Sequence, residues 1–389
     1  MAKHRQPTAN KWAPYVTTGI ALNAATLFAF TYATDSHVAL NPLLSATTSI
    51  FVDGTKSITG HEEGISPFRM ADSFNGQYDQ TPGVVDTGDS VNNKFVHYPR
   101  SLGWISGIGD PTYDKSEGEA TTKTVQAVRA AIKDPSYQKG DTIYVVGYSQ
   151  GAGAVVEAIP ELETDPDFDG ADIQYVLAAN PRRNDGGILS RLPAGVYVPI
   201  LGVTLGGGTE TEGTDANILQ VTKQYDGVAD APNYIFNVVA DLNAVLGFYY
   251  LHSGYYKDID PTPDETATDR IVTHSADGKV TDVLIKAPVG ELPLTMPLLQ
   301  LGVPKEIVKA LDPFLRAIIE TGYDRQAVVP AHAVPFQLLP PPSKWLSDVQ
   351  SVAAGAIETL QALTGTTPPP SSPKLTNKNA NVMAVANTD

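Results

Sequence analysis

Three residue types in one order carry the chemistry legible in this chain: Ser149, a carboxylate at Asp226 or Asp230, and His252. The serine lies in Gly147-Tyr148-Ser149-Gln150-Gly151, a G-x-S-x-G pattern whose glycines permit a strained turn that lifts a hydroxyl above a sheet. A histidine within reach takes the serine proton as the oxygen attacks an acyl carbonyl, and a carboxylate orients the imidazole and stabilises its charged form. Of the histidines, His4, His37, His61 and His97 precede the serine, His274 falls in a charged hairpin-like stretch and His332 in a Pro-rich one. His252 fits the chain order serine, acid, histidine, and Phe248, Tyr249 and Tyr250 beside it can shield an imidazole from water. Asp226 comes directly off a strand-like run; Asp230 competes for the acid role or caps the next helix.

The elements that must position these groups alternate between strand and helix patterns. Ile143, Tyr144, Val145 and Val146 read as a buried parallel strand, and Ala152, Ala154, Val155, Val156 and Ala158 as a close-packing helix, with the serine at the turn between them. The N–H of Gln150 at that helix start is one candidate donor to an oxyanion. The other belongs on a glycine-containing loop after an early strand, residues 49–57, which nominates Gly54 and Thr55. Further strands are read at residues 93–99, 173–181 and 218–225, with helices over 116–133 and 233–247. Residues 270–285 read as an extension made of a hairpin turned by Asp277-Gly278, followed by helical stretches at 298–301 and 305–321. The Gly-, Thr- and Pro-rich segment 191–217 reads as a lid-like loop over the site. No Gly-Lys-Ser/Thr follows Gly206-Gly207-Gly208, so it is not a phosphate cradle. Tyr148, Phe248 and Tyr249 are the candidate substrate-binding aromatics, with Tyr250 and residues 205–208 near the mouth.

Composition narrows the class. Acidic residues number 43 against 27 basic, a net charge of −16, which repels phosphates and argues against a nucleic-acid partner. There is no cysteine, so neither a disulfide framework nor a thiolate metal site is available. The chemistry requires no metal or organic cofactor. Lys3, His4, Arg5 and Lys11 precede an uncharged apolar run at residues 15–33, the pattern of a secretory signal or signal-anchor. The expected organisation is a signal or anchor with linker at 1–45, an α/β serine hydrolase domain at 46–345, and a C-terminal helix with a disordered Pro/Ser/Thr-rich tail at 346–389. The expected fold is a mostly parallel sheet flanked by helices, with lid-like loops and a helical C-terminal extension.

Several ordered motifs together resemble one family. Gly147-Tyr-Ser-Gln-Gly-Ala152, Asn180-Pro-Arg-Arg-Asn-Asp-Gly-Gly187, Tyr225-Asp-Gly-Val-Ala-Asp230, Asn243-Ala-Val-Leu-Gly247 with His252, and Gly322-Tyr-Asp-Arg325 look like the PE-PPE domain of mycobacteria and related actinobacteria, a cutinase-like α/β-hydrolase. The resemblance implies a Ser-Asp-His triad on Ser149, Asp226 or Asp230, and His252, and its Tyr-Asp-Gly match favours Asp226. It implies a serine esterase or lipase acting on acyl esters, a lipid or acyl-ester substrate as partner, and association with a membrane through the N-terminus. Asp53-Gly54 stands where the family more usually has Gly-Gly before the threonine. No PE or PPE helical domain is read ahead of the match, which resembles the anchored subgroup that transfers acyl chains between trehalose glycolipids. Acyl transfer is therefore the alternative activity, and a catalytically idle fold serving the envelope is a third reading. An exported, envelope-associated protein predicts that a tagged full-length chain fractionates with the envelope or medium, whereas a version starting near Asp35 stays in the cytoplasm. Cytoplasmic recovery of the full-length chain overturns that expectation.

Overall fold

The alternation of apolar side chains along residues 142–148 builds a two-faced strand, and the whole architecture extends from it. The computed structural model describes residues 47–56, 93–209, 215–255 and 259–366. Strands β1 (Thr47–Val52), β2 (Asn93–Phe95), β3 (Thr142–Tyr148), β4 (Asp172–Ala178), β7 (Asn217–Lys223), β8 (Arg270–His274) and β9 (Val280–Ile285) form one sheet in the order β2-β1-β3-β4-β7-β9-β8. Every neighbouring pair is parallel except β8 with β9. A short antiparallel pair, β5 (Tyr197–Val198) with β6 (Val203–Thr204), stands apart. The helices are α1 (Tyr113–Ile132), α2 (Gln150–Thr164), α3 (Ile188–Arg191), α4 (Val238–Tyr250), α5 (Met296–Gln300), α6 (Lys305–Glu320) and α7 (Pro342–Thr364).

Period-two burial explains the layers. Ile50, Val52, Ile143, Val145, Tyr175 and Leu177 point to one face, where Val125 and Val128 of α1 and Ala154, Val155 and Ala158 of α2 close the core. Phe51, Val146, Val176, Leu219, Val221 and Val283 point to the other, packed with Ala229, Tyr255 and Ile259. Tyr225, Ala240, Leu292, Ile319 and Tyr323 make a smaller cluster where α4 meets α6. Helix α7 lies on α6, with Gly355 against the Pro313 carbonyl and the Thr359 hydroxyl accepting from the Phe314 N–H.

The structure redraws several elements. Residues 270–285 are not an extension: β9 pairs in parallel with β7, so the hairpin completes the main sheet at its edge. The helix expected over 233–247 begins at Val238, because Asn237 caps it by accepting from the Ala240 N–H, while the backbone before it is bound to Gly322 and Gln337. Helix α1 starts earlier than the apolar pattern suggests, since Thr112 caps its first turn. The segment 191–217 carries β5 and β6, which rest on the start of α1: Asp114 accepts from the Thr204 N–H and hydroxyl. Helix α7 begins at Pro342, a residue suited to a first helical position, and stops at Gly365 with φ +71°. The proposed signal or anchor at 1–45, the loop with His61, and the Pro/Ser/Thr-rich tail beyond 366 lie outside the described residues.

Candidate active site

Three neighbouring strand ends turn sharply, each through a non-glycine residue in the left-handed region: Ser149 after β3 (φ 53°), Ala179 after β4 (φ 51°) and Tyr225 after β7 (φ 71°). Such conformations cost on the order of 1–3 kcal/mol and persist where packing over-determines them. At Ser149 that packing is visible. A methyl on Gly147 would lie 2.7 Å from the Ala152 Cα, and one on Gly151 would collide with the carbonyls of Val52 and Asp53. Only glycine fits either place, which gives the G-x-S-x-G spacing its physical meaning here.

The acid turn is built the same way. Gly227 packs on the Ala244 carbonyl and Gly247 on the Tyr225 carbonyl, so the small-residue face of α4 sits directly on Tyr225-Asp226-Gly227. Helix α4 then ends at Tyr250, and His252 opens a single 3-10 turn beside Asp226. The Ser149 Oγ lies 2.8 Å from His252 Nε2, and His252 Nδ1 lies 2.9 Å and 3.0 Å from the two Asp226 oxygens. When Nδ1 donates its proton to Asp226, Nε2 is left free to accept from the serine hydroxyl. Asp226 is fully buried and also accepts from the Val228 N–H (3.0 Å) and the Tyr255 hydroxyl (2.9 Å). Burial, and then the Asp226 charge, push the Tyr255 phenol well above its ordinary range, so it stays a donor to that carboxylate.

Asp230 has a different environment. It is 1% exposed and accepts from the Tyr225 N–H at 2.8 Å and from Arg325 at 2.6 Å, with Arg183 3.6 Å away. It neither meets His252 nor caps α4; it bridges the buried Arg183 and the part-buried Arg325 beneath the turn at Asp226. Tyr148 also differs from its expected place at the substrate surface. Its ring is buried, stacks on His252 at 5.6 Å between centroids, and its hydroxyl donates to the His252 carbonyl. Phe248 is half exposed with its ring 5.6 Å from His252, while Tyr249 is exposed and packs edge-on against Tyr250. Gly206, Gly207 and Gly208 contact Ala194, Arg182 and Asn184 rather than the serine or histidine.

Among the N–H groups near Ser149 that have no hydrogen bond among the described residues are those of Gln150, at the first position of α2, and Thr55. The N–H of Gly54 is taken, donating to Asp53 Oδ1 at 2.7 Å. The buried Gln150 side chain ties the helix start to the Ser101 carbonyl at 3.0 Å. Tyr255 and Arg100 escape a sequence reading because no spacing rule points to them; each matters through a partner distant in the chain. Among the described residues no group of three or more His, Cys, Asp or Glu side chains could hold a metal ion.

A family model described as the PE-PPE domain matches residues 89–324. Esterase PE16 of Mycobacterium tuberculosis is 36% identical over 267 residues, 67% of this chain and 48% of that protein. The SL1278 acyltransferase Chp1 of the same species is 27% identical over 285 residues, 72% of this chain and 65% of that one. A solved structure of a cutinase-like protein from Cryptococcus sp. covers 48% of this chain and 79% of its own, at 20% identity and a TM-score of 0.27. The strand order given above, rather than that overlay, establishes the fold. The chain spans about half the length of the curated relatives it matches first, 48% and 47%.

The bridging role of Asp230 carries a prediction. Asp230→Asn removes one carboxylate from Arg325 and Arg183, which keep Glu320 and Asp282, so unfolding free energy falls by about 2 kcal/mol. Urea denaturation reads this directly, and an unchanged midpoint overturns the bridging role.

Proposed function

The chain belongs to the PE-PPE domain family, and we propose that it is a serine esterase acting on acyl esters through an acyl-enzyme intermediate. The observation that carries this reading is the hydrogen-bonded chain from Ser149 through His252 to Asp226, with 2.8 Å and 2.9 Å links. As Ser149 Oγ bonds to the ester carbonyl carbon, its proton passes to His252 Nε2, and Asp226 stabilises the imidazolium. The carbonyl oxygen, now an anion, is held by the N–H groups of Gln150 and Thr55, aided by the positive N-terminal end of α2. Collapse of the tetrahedral intermediate expels the alcohol, which takes the proton from His252. A water molecule then attacks the acyl-enzyme by the same route in reverse.

The outer face of α4 supports an apolar acyl substrate. Val238, Leu242, Val245 and Tyr249 recur at helical spacing and are all at least half exposed, forming an apolar stripe that ends at Phe248 beside His252. Backbone pairing of Phe236 with Leu338 extends it at the far end. That surface favours acyl chains over polar esters. Acyl transfer to a hydroxyl in place of water is the second reading, favoured by the similarity to an acyltransferase. Export to the cell envelope, where lipid-like esters are met, belongs to the same proposal.

The test joins mutation with a substrate series. Ser149→Ala abolishes turnover of p-nitrophenyl esters with an unchanged melting temperature, and Asp226→Asn lowers kcat by about 10⁴-fold. In the unaltered protein kcat/KM rises by up to roughly fourfold for each added methylene that becomes buried, about 0.8 kcal/mol. Turnover by Ser149→Ala sinks the nucleophile assignment; preference for acetyl esters sinks the lipid-like substrate. Addition of a sugar alcohol acceptor separates hydrolysis from transfer by whether an acylated sugar accumulates.

A further inference from the structure

Residues 53–55, which run off the end of β1 beside the serine, are held by a side chain from another part of the chain. Gly54 is pressed on the nucleophile: a methyl there would lie 2.8 Å from the Ser149 Cβ and 2.8 Å from the Tyr148 ring. The Gly54 carbonyl accepts from Arg100 Nε at 2.7 Å, and the same guanidinium meets the Asp53 carboxylate at 2.8 Å. That carboxylate accepts the Gly54 N–H at 2.7 Å, and the Tyr98 hydroxyl donates to the Asp53 carbonyl. Arg100 is itself constrained, at φ 54°, with its carbonyl accepting from the Lys56 N–H at 2.8 Å. Both peptide groups flanking the Gly54 Cα are thus clamped, one by Asp53 and one by Arg100.

A trans peptide points its N–H away from its C=O, so a guanidinium that holds the Gly54 carbonyl also fixes the direction of the Thr55 N–H. We propose that Arg100, paired with Asp53, is a positioning residue that aims the Thr55 N–H at the oxyanion by gripping the Gly54 carbonyl. The role rests on the serine-esterase reading. Glycine has no Cβ to restrain its dihedrals, so without the clamp the Gly54–Thr55 peptide can rotate and present its carbonyl to the developing negative charge. The Asp53 carboxylate, stripped of its counter-charge, adds repulsion from the same side. Arg100 thereby lets this chain carry an acidic side chain beside a site that must accumulate negative charge.

The experiment uses the full chain, unaltered and as Arg100→Met and Arg100→Lys, with p-nitrophenyl butyrate as substrate and an alkyl trifluoromethyl ketone as a probe that forms an oxyanion on Ser149. Arg100→Met lowers kcat by about 10- to 100-fold and weakens the ketone by a similar factor, with KM changed by less than about threefold. Arg100→Lys keeps the charge opposite Asp53 but lacks the planar fork needed to hold the carbonyl as well, and recovers only part of the loss. The pH–rate profile keeps its shape in both variants, because His252 and Asp226 are untouched. Ketone affinity unchanged in a folded Arg100→Lys protein overturns the role, as does a loss confined to melting temperature in Arg100→Met. Failure of the unaltered protein to react with a fluorophosphonate overturns the esterase reading and the clamp with it; a reactive Ser149 with indifferent Arg100 variants overturns the clamp alone.

Discussion

The contact on which the rest of the site depends is the one between the first turn of α2 and the end of β1. At Gly151 the helix backbone lies so close to the Val52 and Asp53 carbonyls that no side chain fits between them. This approach leaves Ser149 in the left-handed region and brings Gly54 against it. The fully buried Ala152, Ala154 and Ala158 let the helix lie low on the sheet, and Ile50, Val52, Val145 and Leu177 fill the space beneath. A larger residue in the helix face would lift the turn and relieve the serine strain, and the hydroxyl would leave its line to His252. The strain is therefore a consequence of close packing on both sides of the turn, held by many dispersion contacts and no single bond.

The loops at the strand ends contain no disulfide and are tied instead by buried charge. Arg183 meets Asp282 at 2.7 Å, Arg325 meets Asp230 at 2.6 Å, and Arg182 meets Glu117 at 2.8 Å. Burial raises the carboxyls of Glu117 and Asp282 above their usual range even though the arginines pull the other way. Pairs of this kind add little net stability against an apolar replacement, but losing one partner leaves a buried charge uncompensated. Their value here is register. Arg183 spans from the β4 loop to β9, and Arg325 reaches back from beyond α6 to the acid turn, so the β4, β7 and β9 ends are held to one another.

Much of this was legible in the chain itself. The Ser149 turn, the parallel strands and the order serine, acid, histidine rest on local signals: β-branched runs, small residues at helical spacing, glycines flanking a serine. The separate environments of Asp226 and Asp230 were not local, because the residue that claims Asp230 is Arg325, 95 positions away. Arg100 carries no local signal for the same reason, its partner Gly54 being 46 positions upstream. Proximity to the serine in sequence suggests the substrate surface for Tyr148, whereas strand alternation sends its ring to the opposite face, under His252. The start of α4 is not legible in the sequence, because an apolar pattern cannot distinguish a helix from the irregular backbone before it when Gly322 and Gln337 supply that backbone's hydrogen bonds.

Sheet spacing explains why a histidine must arrive from a separate helix. Ser149 follows β3 and Asp226 follows β7, with β4 between them, a separation of about 10 Å at the usual strand spacing. No direct hydrogen bond spans that gap, but an imidazole with a nitrogen on each side does. Its depth is set by α4, whose Ala244 and Gly247 rest on the acid turn, so the helix can come no closer and has no room to drift while that face stays small. The same helix turns Val238, Leu242 and Val245 outward to solvent. One element thus fixes the position of His252 with its inner face and presents an apolar stripe with its outer face. Under the proposed esterase reading, changes to the outer face are free to alter which acyl chains are received without disturbing the line from Ser149 to Asp226.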